Sequence, residues 1–364
     1  MMVCARHLTR LRVSLIPLML LSAATLQAES IGSITYLEQE VRVVRAGRDL
    51  VEGVDFGFPL ESFDLIQTGA EGFAEILLDP RTGIQAQIMV EPSTSFYLDV
   101  SDLRSQQTAG IELLTGSLAF RVNELVGSSD FEVRTETAVM GVRGTDFIVV
   151  MAPAGDVLVV TTEGRVEVSD SSVRRRFARP GEAVERLESG EFRNLDLGTN
   201  PEEGAQLWLD ERMRAFYARA ESILTFQAAR YLALRTRFFD AWEDLQEHRD
   251  IIDTWVAEDR RGELGSRIDQ IRQKRRIIGS IIEIRRAASF FHRLFYRLRS
   301  LASMPDLPLS AEVAEDLTLG EFFSQLRNEA RLIEERLNSY RQLLVLYARR
   351  NDGVTPLDSF GGGM

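Results

Sequence analysis

A serine-type triad needs a histidine within reach of a serine and a carboxylate. Beyond residue 28 this chain has two histidines, His248 and His292. There is no Gly-x-Ser-x-Gly elbow, and His292 lies among aromatic and basic neighbours in Phe290-Phe291-His292-Arg293, so both read as ordinary helix residues. Cys4 is the sole cysteine and lies within residues 1–28, which read as a cleaved signal, so the mature chain is expected to hold no thiol, which removes disulfides, zinc–thiolate sites, iron–sulfur clusters and cysteine nucleophiles. Lys274 is the sole lysine, and its position rules out a P-loop, whose glycine-rich turn is followed by a phosphate-binding lysine. Neither a His-x-x-x-His pair nor a calcium loop is present. Carboxylates are abundant at 55, but no aromatic-lined acidic motif picks out a glycosidase-like pair. The expectation is a protein without catalytic residues, metal site or cofactor.

Charge gives the stronger signal. Of 43 basic residues all but Lys274 are arginine, and the net charge is −12. Residues 29–200 hold 15 basic against 29 acidic side chains, which places the acidity in this half. The reverse holds between Arg272 and Arg299, where Arg272, Lys274, Arg275, Arg276, Arg285, Arg286, Arg293, Arg297 and Arg299 stand against Glu283 alone. Two antiparallel helices would set this band opposite Asp240, Glu243, Asp244, Glu247, Asp250 and Asp253, and internal pairing is the reading taken. Anionic lipid head groups or an acidic glycan are the alternative ligands. Nucleic acid is not expected of an acidic, exported chain.

Three zones position these residues. Residues 1–28 read as a secretory signal: Arg6, Arg10 and Arg12 precede the apolar run Val13 to Leu26, and Ala28 stands before a polar start at Glu29. The run falls short of the ~20 apolar residues that span a bilayer. No later segment is apolar enough, so the expectation is a mature chain without a transmembrane segment, in the periplasm of a Gram-negative-type envelope.

Residues 29–198 read as β structure, with short Val-, Ile-, Phe- and Thr-rich runs punctuated by Gly. Alternation in Phe131-Glu132-Val133-Arg134 and Arg165-Val166-Glu167-Val168 marks strands with one wet face. A weak repeat sets Gly72, Gly116 and Gly164 each before an apolar residue that recurs two positions later, as in stacked β layers.

Residues 199–351 read as helices. Asn200, Pro201 and Glu203 form a start signal, and one apolar stripe runs from Met213 to Trp255, giving a first helix of roughly 55 residues. Gly262 and Gly265 mark a turn, and a second helix runs on from Ile268 to Leu298, before Pro305 and Pro308. A third begins at Thr318 with Glu321 and carries heptads, Phe323, Ala330, Leu337 and Leu344 with Leu326, Ile333, Tyr340 and Tyr347. Residues 352–364 read as a disordered glycine-rich tail. The fold expected is an all-β domain of stacked, solenoid-like strands followed by an elongated α-helical bundle or coiled-coil hairpin.

The segment Thr137-Ala138-Val139-Met140-Gly141-Val142-Arg143-Gly144-Thr145-Asp146-Phe147-Ile148-Val149 resembles the signature of the FecR domain family. Ile66-Gln67-Thr68-Gly69, Leu114-Thr115-Gly116-Ser117-Leu118, Glu163-Gly164-Arg165-Val166-Glu167-Val168 and Pro180-Gly181-Glu182 resemble its flanking pieces in order and spacing. The resemblance covers roughly residues 30–190. Where the family commonly has Gly-Asp before I-x-T-G this chain has Ser62-Phe63-Asp64-Leu65, so a differently built turn is expected there. The family's sensor members place an anti-sigma segment and a transmembrane helix first, whereas here the domain follows the signal directly, so direct sigma-factor control is not expected.

Gly141, Arg143, Gly144, Thr145 and Phe147 are the family-motif residues, read as structural: the glycines turn a corner, Arg143 bridges to Asp146 or a neighbouring layer, and Thr145 bonds the turn backbone. The function expected is non-enzymatic binding or scaffolding at the cell envelope, with the β domain meeting a protein or glycan and the helices giving reach or self-association. A signalling component working with a separate membrane partner is the alternative, and an envelope polysaccharide enzyme a third.

Overall fold

The computed structural model describes residues 30–45, 48–49, 53–62, 64–80, 84–101, 108–125, 130–142, 144–198, 200–352 and 356. The expected signal peptide and almost all of the expected tail lie outside the described residues. Seventeen strands form one pairing network: β1 (Gly32–Glu38), β2 (Val41–Arg45), β3 (Arg48–Asp49), β4 (Pro59–Leu60), β5 (Leu65–Thr68), β6 (Phe73–Leu78), β7 (Ile84–Val90), β8 (Ser95–Ser101) and β9 (Thr108–Leu125), then β10 (Asp130–Arg134), β11 (Ala138–Val142), β12 (Asp146–Met151), β13 (Val157–Glu163), β14 (Val166–Asp170), β15 (Arg175–Ala178), β16 (Glu182–Arg186) and β17 (Phe192–Asp196).

The network folds into two facing sheets. A front sheet runs β4-β1-β6-β7-β9-β12-β13-β16-β17. A back sheet runs β3-β2-β5-β8-β9-β10-β11-β14-β15, with β9 and β10 its one parallel pair. The eighteen-residue β9 belongs to both: up to Thr115 it pairs with β8, and from Gly116 it pairs with β7 and β12. Between the sheets lies an apolar core in which Phe120 stacks on Phe147 at 4.6 Å and meets Phe131 edge-on at 5.8 Å.

The chain passes from sheet to sheet through tight arches, and these explain the glycine repeat. A Cβ on Gly116 would lie 2.2 Å from Thr94 Oγ1 and 2.5 Å from Thr94 Cα, where the β7–β8 arch packs against the crossing strand. One on Gly164 would lie 2.5 Å from Thr145 Cγ2, in the adjoining β11–β12 arch, and Gly72 is pressed likewise against the Glu40 carbonyl. Each repeat glycine therefore marks a place where one arch stacks on another. Threonines tie the stack: Thr68 Oγ1 donates to the Glu91 carbonyl at 2.7 Å and accepts from Thr94 N–H at 3.0 Å, while Thr94 Oγ1 accepts from Ser117 N–H at 3.0 Å. At the turn expected to differ, buried Asp64 accepts from Arg45 Nε at 2.8 Å, from Arg45 Nη2 at 2.6 Å and from Glu61 N–H at 2.8 Å.

Five helices follow: α1 (Pro201–Ala218), α2 (Ala220–Gln246), α3 (Arg249–Arg260), α4 (Arg267–Leu301) and α5 (Leu319–Arg349). Asn200 caps α1 through the Glu203 N–H, and Thr318 with Glu321 forms a capping box on α5, as the local sequence dictates. The single helix expected to cover about 55 residues is instead three, broken at Arg219 and at Glu247-His248. Packing imposes the first break. Ala205 and Trp208 on α1 cover Val150, Leu158, Val160 and Ala183 on the outer face of the front sheet. Helices α2, α4 and α5 instead join Val44, Leu65, Tyr97 and Leu114 on the outer face of the back sheet. Helices thus cover part of the outer face of each sheet, and the first five residues of β13 are all buried, without alternation.

Gly116 has φ +93°, so Gly116→Ala adds left-handed strain to its clash with Thr94. It is expected to lower unfolding stability by about 3 kcal/mol. A Cβ at Gly141 meets nothing within 4 Å, so Gly141→Ala is expected to stay within about 0.5 kcal/mol of the parent in urea titrations.

Candidate functional site

The motif residues converge on the β11–β12 arch, at the end of the sandwich where residues 121–125 of β9 finish. Gly141 is exposed on β11, in register with Glu132 and Glu167. Gly144 has φ +59°, and Thr145 is buried with its carbonyl accepting from Val122 N–H at 3.1 Å. Phe147 is the buried ring stacked on Phe120. Arg143 lies outside the described residues. Asp146 is paired with Arg121 across the strand boundary, Nε to Oδ2 3.3 Å. Thr145 was expected to bond the turn backbone, but among the described residues its Oγ1 has no hydrogen-bond partner. The Thr145 methyl faces Gly164, so this side chain spaces two arches.

Around the arch Arg121, Val122, Asn123, Gly144, Thr145, Asp146 and Glu163 line an open, strongly polar cleft of about 420 Å³. Arg121 and Glu163 are exposed at its rim. No group of three or more His, Cys, Asp or Glu side chains among the described residues could hold a metal ion. The cleft offers one guanidinium, two carboxylates, an amide and strand-end backbone, the chemistry of hydrogen-bonded recognition. Sequence reading took Gly144, Thr145 and Asp146 of this lining but missed Arg121, Asn123 and Glu163 as site residues, since strand register brings them to the arch.

A second polar assembly fixes the helices to the back sheet. On α4, Arg293 and Arg297 are one turn apart and aim at different carboxylates. Arg293 Nε donates to Glu112 on β9, with His292 Nε2 3.0 Å from the same oxygen. Arg297 Nη2 donates to Glu136 at 2.5 Å, and Arg230 of α2 reaches the other Glu136 oxygen at 3.3 Å. Burial by itself would raise the Glu112 carboxyl, but the charges of His292 and Arg293 hold it well below the usual carboxylate range. Beside it the Tyr97 and Tyr296 hydroxyls are 2.8 Å apart, and Arg341 lies 3.6 Å over the Tyr97 ring. Burial pushes Tyr97 up to about 12. On the other face Trp208 Nε1 donates to buried Glu185 at 2.6 Å, which also accepts from Arg193 at 2.8 Å.

The basic band of α4 is therefore partnered differently from expectation. Of the six acids proposed for it, Asp250 meets Arg276 at 3.2 Å. Arg299 donates to Glu334 on α5, and Lys274 donates to the Arg350 carbonyl at 2.7 Å and to Asn351 Oδ1 at 2.9 Å. Glu243, expected to face the band, lies 3.5 Å from Arg336 on α5. The acidic half of the chain, through Glu112 and Glu136, supplies the partners that the first helix was expected to give.

Residues 64–167 match the FecR protein family model. This FecR segment begins at the buried Asp64, runs through the crossing strand β9 and ends in β14, leaving the helices outside. Two crystal structures of a candidate anti-sigma factor from Parabacteroides distasonis, at 2.50 and 1.65 Å resolution, are similar at 19% identity with a TM-score of 0.32. The likeness covers 36% of this chain and 59% of theirs, so it spans less than two thirds of those relatives. Among curated proteins none matches. Among the described residues no helix is long and apolar enough to cross a membrane.

Glu112→Gln leaves Arg293 and His292 facing a neutral amide and is expected to cost about 3 kcal/mol at pH 7, the low end for breaking a buried pair. The carboxyl titrates lower folded than unfolded, so its stabilisation is complete above about pH 4.3 and fades as the pH falls toward the folded value. The gap in urea stability between parent and Glu112→Gln should accordingly narrow below about pH 4.

Proposed function

We propose that this protein is an exported, non-enzymatic binding component of a cell-envelope signalling or scaffolding assembly, working with a separate membrane partner. In this reading the FecR segment, a stack of solenoid-like strand layers, presents its arch end to a partner protein, and the helices brace the stack. One observation carries it: Gly144 and Thr145 of the matched segment's arch line a polar cleft that also holds the exposed charges Arg121 and Glu163. Solvated polar groups held at strand ends by sheet register suit recognition of a protein surface. The apolar run Val13 to Leu26 with Ala28 supports export. An envelope glycan is the other ligand that such a cleft would suit.

The test places a photo-crosslinking residue at Asn123 in the full chain and, as a control, at exposed Asp253 on α3. One protein adduct of defined mass from position 123, absent from position 253 and weakened about tenfold by Arg121→Glu, is expected. No adduct from position 123, or equal yield from both positions, overturns the reading. Intact mass of the chain released by osmotic shock should correspond to a start at Glu29, and an unprocessed chain retained inside the cell overturns export.

A further inference from the structure

Helix α4 carries two apolar stripes. Ile277, Ile281, Ile284 and Ala288 are buried against the rest of the molecule. At 3.6 residues per turn the opposite side carries Ile268, Ile271, Arg275, Ile278 and Ile282, in steps of three, four, three and four. Ile268 is 71% exposed, Ile271 45% and Ile278 36%, and Arg275 is exposed. The stripe begins just beyond the Gly262–Gly265 turn, where Leu264 is 43% exposed.

From this geometry we infer that the outer face of α4, from Ile268 to Ile282, is a coiled-coil seam that docks an acidic amphipathic helix of a partner protein. The three–four spacing is that of the a and d positions of a heptad. A lipid-binding face would be wider and would carry large aromatic or leucine side chains, whereas a strict a/d stripe is the narrow seam made for another helix. Charge selects the partner. Arg275 interrupts the stripe at its centre, and Arg272 flanks it. The Arg272 contact is exposed and exchangeable, with Asp269 at 3.5 Å. Pairing α4 with α4 of a second copy would set these arginines against each other, while a helix with glutamates beside its own apolar seam would neutralise them. The surface is separate from the arch cleft, so the two proposals can fail independently.

The test uses the full mature chain and three synthetic heptad peptides. One has an Ile/Leu seam flanked by Glu, one has the same seam flanked by Lys, and one has Glu flanks with Ser in the seam. The acidic-seam peptide is expected to bind at least about tenfold more tightly than either of the others. The exposed-site variant Ile271→Asp/Ile278→Asp should lose that difference while its thermal unfolding stays unchanged. If that variant fails to fold, Arg275→Glu serves in its place, and it should weaken the acidic-seam peptide and strengthen the Lys-flanked one. Equal binding of the Ser-seam peptide overturns the seam. So does seam-dependent binding to anionic phospholipid vesicles, or a dimer in sedimentation that Ile271→Asp/Ile278→Asp disrupts.

Discussion

The carboxylates of Glu112 and Glu136, each met by an arginine of α4, are the constraint around which the rest of the molecule is arranged. A carboxylate on the outer face of a sheet covered by helices must be paired or stay neutral, since a lone buried charge costs several kcal/mol. Placing Arg293 and Arg297 one turn apart on a single helix fixes its direction and register over the back sheet. Apolar contacts through Tyr97, Leu114 and the aromatic residues of α2, α4 and α5 then supply the bulk of the attraction without setting that register. On the front sheet Glu185 does the corresponding service for α1, accepting from an indole rather than a second helix's charges.

This arrangement accounts for the charge asymmetry along the chain. The β half is acidic and α4 basic because several of the acids and bases meet across the interface between them. Reading charge along one dimension suggested that neighbouring helices neutralise each other, yet the nearest acids in sequence are mostly on exposed helix surface, where pairing contributes little. The decisive acids lie more than 150 residues away, on a strand and a turn that only the completed sheet brings alongside.

Local features were legible in the sequence because local geometry determines them. The caps at Asn200 and Thr318 and the heptads of α5 need only neighbours within a turn or two. The repeat glycines were visible as a pattern, but their cause was not, since it is the approach of an arch tens of residues away. The breaks at Arg219 and His248 carry no proline or glycine signal. The first exists because α1 and α2 cover opposite sheets, a demand of tertiary packing that overrides a continuous helical stripe. The cleft residues Arg121, Asn123 and Glu163 were hidden for the same reason: strand register, not spacing, brings them to the arch.

Strand β9 belongs to both sheets, so neither sheet is finished without it. Among the described strands, β1 to β8 meet β10 to β17 through β9 in both layers. The molecule cannot be trimmed into two autonomous halves: a cut within β9 would leave two open layers, each with its central rung missing.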